Sequence, residues 1–416
     1  MIFTNQPTHE VQHRTNGTLQ SFYNLEDAIN FAKSRKNTRI ISLDTKWTVW
    51  SNFLTKKYDL IINNNMIDSF YDYNLAHNEA KSKTNARIVN NLTGDVLWTN
   101  QTNSKVTRNL STVKLSGQTR YITAVEISKT LYPNGFPEEK DQKVVILATG
   151  QDAADGLSAG PLATVYGNAP ILLTRTNELT EATKNEILRL QAKKVIILGG
   201  HLAIEEIVEE QIIELGLETE RISGRTRYDT NRLILERLGN LSGVFVTSGR
   251  SFADAIAAAP IAAANNWGIV LSPKNDFPTE SLPILNDKDV IMLGGQLVMS
   301  DKVETTITNY KQKKSAVRYA GKTRYDTLSL LLNHFRKEVN SNQIILTTGT
   351  NFPDALASAP LAIHSKAPLI LVGNSLSPAL ELFLMEYAEK NVVEDVIVIG
   401  GIVKDPAINQ IRNAIR

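Results

Sequence analysis

The sequence predicts an α/β protein in which a small duplicated α+β domain precedes three tandem modules, each built on a parallel sheet. Three observations predict it. Residues 16–52 slide onto 64–100 at a constant shift of 48 without a gap. Three short motifs recur three times, in order, at a period near 100 from about residue 106 to the end. Continuous apolar runs alternate with amphipathic stretches through that second part. A chain of 416 residues is also too long for one core and should divide into about three or four domains of ordinary size.

The shorter repeat superposes Ser21-Phe22-Tyr23 on Ser69-Phe70-Tyr71 and Ala32-Lys33-Ser34 on Ala80-Lys81-Ser82. Asn37, Arg39, Ile40, Trp50 and Asn52 fall on Asn85, Arg87, Ile88, Trp98 and Asn100. Each copy reads as a strand, a turn (Asn16-Gly17 in the first), a short strand ending in Phe-Tyr, a helix and two further strands. Asn24 is a good cap for the first helix, with Asp27 three residues on. So small a unit needs aromatic bulk to bury enough surface, so the Trp and the Phe-Tyr pair are expected in the core. The two units are placed at residues 1–55 and 56–105.

The longer repeat opens with Ser116-Gly117-Gln118-Thr119-Arg120-Tyr121-Ile122-Thr123, then Ser223-Gly224-Arg225-Thr226-Arg227-Tyr228-Asp229-Thr230, then Ala320-Gly321-Lys322-Thr323-Arg324-Tyr325-Asp326-Thr327. An apolar strand ending in Ser/Thr-Gly follows, with an Asp five residues after that Gly and a Pro six after the Asp. These are Gly150, Asp155 and Pro161; Gly249, Asp254 and Pro260; Gly349, Asp354 and Pro360. Each copy closes on a strand with paired glycines, at Gly199-Gly200, Gly294-Gly295 and Gly400-Gly401. Runs such as Val144-Val145-Ile146-Leu147 suit strands buried on both faces, and Thr180–Gln191 or Ile204–Leu215 suit covering helices. The modules are placed at residues 106–219, 220–316 and 317–416.

Composition narrows the function. With 42% apolar and 21% charged residues the chain is that of a folded protein, and no apolar run is long enough for a membrane span. The absence of cysteine excludes disulfides and thiolate chemistry. Six scattered histidines give no metal-ligand spacing, so no metal and no cofactor are expected. A formal charge of +2 is far from that of a general nucleic-acid binder. The start, Met1 to Pro7, lacks the basic and apolar regions of a secretory leader, so the chain is either cytosolic or begins after a removed leader.

The candidate site residues stand where an open parallel sheet binds ligands, at the carboxyl ends of its strands. Thr119, Thr226 and Thr323 are placed as helix caps, and Asp229 and Asp326 complete capping boxes that Ile122 in copy one cannot. Arg120, Arg227 and Arg324 follow on first helical turns, where a guanidinium can grip phosphate or carboxylate bidentately. Tyr121, Tyr228 and Tyr325 come next and join the candidate set. Asp155, Asp254 and Asp354 could pair with those arginines across a module boundary, could cap helices, or could face a ligand with them. One carboxylate per copy, without a paired acid or base at fixed spacing, is too little for hydrolysis or phosphoryl transfer, so no catalytic residue is assigned. The glycine pairs lack the spacing of a nucleotide-binding loop.

Together the Ser-Gly-x-x-Arg-Tyr-x-Thr opening, the centres Gly249-Arg250-Ser251-Phe252-Ala253-Asp254-Ala255-Ile256 and Gly349-Thr350-Asn351-Phe352-Pro353-Asp354-Ala355-Leu356, and the Gly-Gly closing resemble the cell wall binding repeat type 2 family. Copy one departs from it, with Ala153 for Phe and Gly156 for the Ala after the Asp. The resemblance covers residues 106–416. It implies three modules in a pseudo-threefold arrangement, secretion to a Gram-positive, S-layer-like surface, and non-covalent attachment to an anionic secondary wall polysaccharide or teichoic-acid-like polymer. It also implies that residues 1–105 carry an individual adhesive or structural role, with a surface-protein partner. A wall hydrolase, or a regulator of one, with its active site outside the repeats is the main rival, and a cytosolic scaffold the third reading. Module three ends after its helix, so the strand before Gly117 is predicted to complete its sheet and close a ring.

Overall fold

The computed structural model describes residues 7–13, 16–35, 38–43, 48–51, 56–70, 73–91, 94–102, 110–311 and 316–415. The chain divides into two compact units, residues 1–108 and 109–416.

The first unit holds two copies of one antiparallel motif. β1 (His9–His13), β2 (Gly17–Phe22), α1 (Leu25–Lys33), β3 (Thr38–Ser42) and β4 (Thr48–Ser51) form a sheet of order β2-β1-β3-β4. β5 (Tyr58–Ile62), β6 (Asn65–Phe70), α2 (Tyr73–Ala80), β7 (Ala86–Asn90) and β8 (Val96–Thr99) repeat it as β6-β5-β7-β8. Val11 faces Ile40 and Leu60 faces Ile88 across the central pairs. All four are buried, under Ala28 and Ala32 or Ala76 and Ala80 of the helix. Asn24 caps α1 by accepting from the Asp27 amide at 2.9 Å, and its own amide donates to the Asp27 carboxylate at 2.8 Å. Phe22 packs on Phe31, ring centroids 5.1 Å apart, but Tyr23 is 58% exposed, because neighbours on extended chain point to opposite faces. Trp98 meets the His77 ring at 5.4 Å. Asn37, Asn52, Tyr71 and the Trp50 side chain lie outside the described residues.

The second unit is built on three parallel sheets. Its first segment runs β9 (Ser111–Leu115), α3 (Arg120–Leu131), β10 (Val144–Thr149), α4 (Ala159–Val165), β11 (Ile171–Thr174), α5 (Glu181–Arg189), β12 (Lys194–Leu198) and α6 (Glu206–Glu214). The second runs β13 (Glu218–Ile222), α7 (Arg227–Leu238), β14 (Gly243–Ser248), α8 (Phe252–Ala264), β15 (Trp267–Ser272), β16 (Asp289–Leu293) and α9 (Asp301–Lys311). A short 3-10 turn at Thr279–Leu285, carrying Pro283 with its missing amide, precedes β16 where the first segment has α5. The third runs β17 (Val317–Tyr319), α10 (Arg324–His334), β18 (Gln343–Thr348), α11 (Phe352–Ser365), β19 (Leu369–Val372), α12 (Pro378–Lys390), β20 (Asp395–Ile399) and α13 (Asp405–Ala414).

The sheets are ordered β11-β10-β12-β13, β15-β14-β16-β17 and β19-β18-β20-β9. Each therefore takes its fourth strand from the segment that opens the next module. The third takes it from the start of the unit, with Asp395 facing Ser111 and Ile399 facing Leu115, so the predicted closure is present. One apolar cluster runs through all three sheets. At its centre α4, α8 and α11 pack together, close enough that a Cβ on Gly160 would lie 2.6 Å from that of Ala259 and 3.2 Å from that of Ala359. Those three residues occupy the same position in the repeat, each before its proline, and mark the pseudo-threefold axis. Gly156 is likewise accounted for, since a Cβ there would lie 2.7 Å from a Leu356 methyl. Buried Asn231 ties segments together: its amide donates to Ser158 Oγ at 3.1 Å and Ile269 O at 2.7 Å, while its oxygen accepts from the Leu271 amide.

Candidate functional site

In each sheet the chain runs from the second strand in the order to the first, then crosses to the third, so the topological switch falls between β10 and β12, β14 and β16, β18 and β20. Open α/β sheets bind ligands at the carboxyl end of that switch. The three repeated motifs meet there, and they come from two modules at once. Asp155 and Gly199-Gly200 meet the opening of α7, so that Asp155 lies in the field of Arg227. Asp254 likewise faces Arg324, and Asp354 faces Arg120. These are the first, second and third junctions. Each combines the acid of one copy with the arginine of the next, and the third closes the ring.

Every junction has the same frame. The Thr at the cap accepts from a first-turn amide, and at Thr226 and Thr323 the Asp side chain returns the bond. Arg227 Nη1 donates to Gly249 O at 2.8 Å, Arg324 Nη1 to Gly349 O at 2.6 Å, and Arg120 Nη1 to Gly150 O. Each arginine thus bridges from the end of one sheet to the first strand of the next. The first glycine of each closing pair has φ of +102°, +108° or +90°, which a side chain would strain. It also makes room for the acid: a Cβ on Gly199 would lie 2.5 Å from Asp155 Oδ2, and one on Gly294 3.0 Å from Asp254 Oδ2.

Burial sets the electrostatics. Asp254 is 6% exposed and Asp354 8%. Desolvation pushes the Asp254 carboxyl up to about 6 against the pull of Arg324. It raises Asp354 and Asp155 too, opposed by hydrogen bonds from Thr123 and Thr230 and by Arg120 and Arg227. Asp354 Oδ1 is buried without a protein partner. At the first junction Asp152, Asp155, His201, Leu202, Arg225 and Arg227 line a cleft of about 410 Å³. Ala153 stands there in place of the Phe252 that lies 5.7 Å below the Arg324 guanidinium at the second junction, and Asp152 reaches Arg227 at 3.7 Å.

The sequence-derived set is only partly united. Asp155, Thr226 and Arg227 line the first cleft as expected, but Tyr228 does not. Tyr121, Tyr228 and Tyr325 turn inward, their rings filling the space left by Gly150, Gly249 and Gly349, where a Cβ would lie 2.6–2.8 Å from them. All three are half-buried and pack against the apolar cluster. The expected Arg–Asp pairing is an attraction across the boundary, with no contact ion pair between Arg120 and Asp354, Arg227 and Asp155, or Arg324 and Asp254 among the described residues. Asp254 and Asp354 sit in the first turns of α8 and α11, after Ser251 and Asn351 at the caps, so they do not cap those helices themselves.

Two sets of residues were missed. The second Thr of the opening accepts from the opening glycine amide, at 3.1 Å for Thr123 and 3.0 Å for Thr230 and Thr327. Arg221 donates to Gly199 O and Ile204 O, both at 2.9 Å, and Arg318 to Gly294 O at 2.9 Å and Met299 O at 3.0 Å, clamping the glycine turns. A basic residue three positions before each opening glycine is the signal that could have found them.

The profile of the Cell wall binding domain 2 (CWB2) family matches residues 114–209, 221–304 and 318–404. N-acetylmuramoyl-L-alanine amidase LytC of Bacillus subtilis is 30% identical over 311 residues, covering 73% of this chain and 59% of that protein. The amidase enhancer of the same organism is 31% identical over 268 residues, covering 64% and 36%. Among solved structures, Cwp6 from Clostridium difficile superposes with a TM-score of 0.66 at 27% identity, over 76% of this chain and 50% of that one. Cwp8 from the same organism superposes at 0.65 and 30% identity, over 74% and 52%. The chain therefore spans about half the length of these relatives.

Proposed function

This chain belongs to the Cell wall binding domain 2 family and is a cell-wall-binding protein, and from that premise we propose that it is secreted and held non-covalently on an anionic secondary wall polymer through its three α/β modules. The single observation that carries the reading is the repeated junction, in which a guanidinium fixed by a backbone carbonyl faces a buried or half-buried carboxylate at the switch point of a parallel sheet. An arginine so oriented suits a phosphate or carboxylate on the polymer, and the carboxylate suits hydroxyls beside it. The contacts are drawn from Arg120, Arg227 and Arg324 with Asp155, Asp254 and Asp354, one pair per junction; Thr119, Thr226 and Thr323 orient the arginines through their helix starts.

The protein anchors and does not cut. The repeated set holds one acid per junction; Asp152 stands beside Asp155 at the first alone, where the other copies have Ser251 and Asn351. His201 at the first is replaced by Gln296 and Ile402 after the other glycine pairs, so no base belongs to the repeated set. Residues 1–105 supply a separate adhesive or structural role.

Co-sedimentation with Gram-positive cell walls tests this. The wild type should sediment with intact walls, be released by salt, and fail to sediment with walls stripped of secondary polymer. A folded Arg120→Ala, Arg227→Ala, Arg324→Ala variant should stay in solution. Equal sedimentation with stripped walls would overturn the polymer reading, and release of new amino or reducing groups from the walls would overturn the non-enzymatic one.

A further inference from the structure

The three junctions share a frame, but at several positions around it the third departs from the other two. At the residue after the opening glycine, the first junction has Arg225 and the second Lys322, both exposed and without an ion partner among the described residues; the third has Gln118. At the third helical position the first two have Asp229 and Asp326, which close capping boxes; the third has Ile122. Arg221 and Arg318 clamp the first two glycine turns through two carbonyls each and are themselves held by Glu209 and Glu304 at 2.8 Å. Exposed Lys114 occupies the same place at the third and makes no such bond among the described residues.

The turn itself also changes length. Glu206 and Asp301 start their helices six residues after Gly200 and Gly295, whereas Asp405 starts four after Gly401. The longer turns carry Leu202, 99% exposed, and Leu297, 87% exposed, at the lip of the junction. In the shortened turn Val403 is instead buried. An almost wholly exposed leucine recurs in the two turns whose junctions carry Arg225 or Lys322, whereas the shortened turn offers only the half-exposed Ile402, and this fits a contact surface better than scattered apolar exposure does.

We infer that the chain has two working polymer sites, at the first and second junctions, and that the third junction is the seam that closes the ring. This rests on the polymer-anchoring reading. The third junction joins the two ends of the unit, β9 to β20, and has an uncharged glutamine, an isoleucine at the helix start and a clipped turn where the other two have a cation, an acid and a longer turn. The other two present paired cations, Arg225 with Arg227 and Lys322 with Arg324, and an exposed leucine. The polymer class that fits is a repeating anionic chain able to reach two sites, with apolar substituents such as methyl or acetyl groups against Leu202 and Leu297. Two linked sites give an avidity that one lacks, typically 10²- to 10⁴-fold.

Charge reversal at the three equivalent exposed positions tests this in the full chain, with intact Gram-positive walls as the probe and thermal melting to confirm folding. Arg225→Glu and Lys322→Glu should each weaken sedimentation at least tenfold, and together should abolish it. Gln118→Glu should stay within twofold of wild type. A loss with Gln118→Glu equal to the other two overturns the two-site inference while leaving anchoring intact, as does full binding by the Arg225→Glu, Lys322→Glu double variant through the remaining junction. Failure of the wild type to sediment overturns the anchoring reading and this inference with it.

Discussion

The two parts of the chain use repetition in opposite ways. In residues 7–102 each copy completes its own four-stranded antiparallel sheet, β2-β1-β3-β4 and β6-β5-β7-β8, so a copy is a unit in sequence and in space. In residues 110–415 no copy completes its sheet alone, because every sheet takes its fourth strand from the next segment around the ring. Repetition of the first kind gives sheets complete within each copy, and of the second kind a closed ring of shared sheets. The same strand exchange creates the junctions, since it carries the arginine of one copy over the acid of another.

The largest expected effect separates these two regimes. Removal of residues 1–116 should strip β9 from β20, about 300 residues away in sequence. A ladder of about four or five bonds at about 1 kcal/mol each puts the loss near 4 kcal/mol. It should appear as a lowered denaturation midpoint and as fast amide exchange in Asp395–Ile399. Removal of residues 1–102 should leave both unchanged. Equal effects from the two truncations would break the comparison.

Next in size is the axis, which has no counterpart in the antiparallel copies. Gly160→Leu should cost about 3 kcal/mol by overpacking three helices at once. Gly200→Ala, where a Cβ would meet nothing within 4 Å, should change stability little. Urea denaturation of both variants gives the difference directly.

Much of this was legible beforehand, for physical reasons that differ by element. The parallel sheets announced themselves through runs such as Val144 to Leu147, which only a strand covered on both faces tolerates. The closure by β9 followed from counting strands: module three had no segment left to supply its fourth. Which acid meets which arginine was not legible, because spacing along the chain says nothing of how copies are set around an axis. The packing of the half-buried tyrosines was illegible for a related reason, since the glycine at the end of the next strand that receives each ring is brought there only by the fold. The apparent decay of copy one was also unreadable in sequence. Gly156 is small because Leu356 lies against it, and Gly160 because three helices meet there.

A third prediction uses the buried acids, which have no counterpart among the described residues of the antiparallel copies. The folded-state carboxyl of Asp254 lies at about 6 against an ordinary 3.8. The folded protein therefore holds that proton more tightly than the unfolded chain. The stability tied to it is full below about pH 3.8 and is lost as pH rises through about 6. At about 1.4 kcal/mol per pKa unit, the penalty at neutral pH is on the order of 2 kcal/mol after relaxation. Asp254→Asn should thus raise stability at pH 7, have little effect at pH 4, and weaken wall binding. A variant no more stable at pH 7 than wild type would show that the carboxylate is already compensated. A folded, more stable variant that still binds walls fully would remove Asp254 from the site.

The smallest effect compares the helix starts of the junctions. Thr226→Ala removes one half of a capping box, the Thr226 oxygen on the Asp229 amide, together with the bond from the Thr226 hydroxyl to the Asp229 carboxylate, leaves the Thr226 amide on that carboxylate, and should cost about 1 kcal/mol. Thr119→Ala removes one bond, to the Ile122 amide at 3.3 Å, and should cost about half as much. The order matters more than the sizes. The cap fixes the first turn on which Arg227 or Arg120 stands, and a box holds that turn more tightly than a single bond. If the first and second junctions bind polymer, the two-bond cap is where orientation has a use, so Thr226→Ala and Thr323→Ala should weaken wall binding beyond what their small loss of stability explains. Thr119→Ala should change stability alone, as expected of a helix start that only closes a ring.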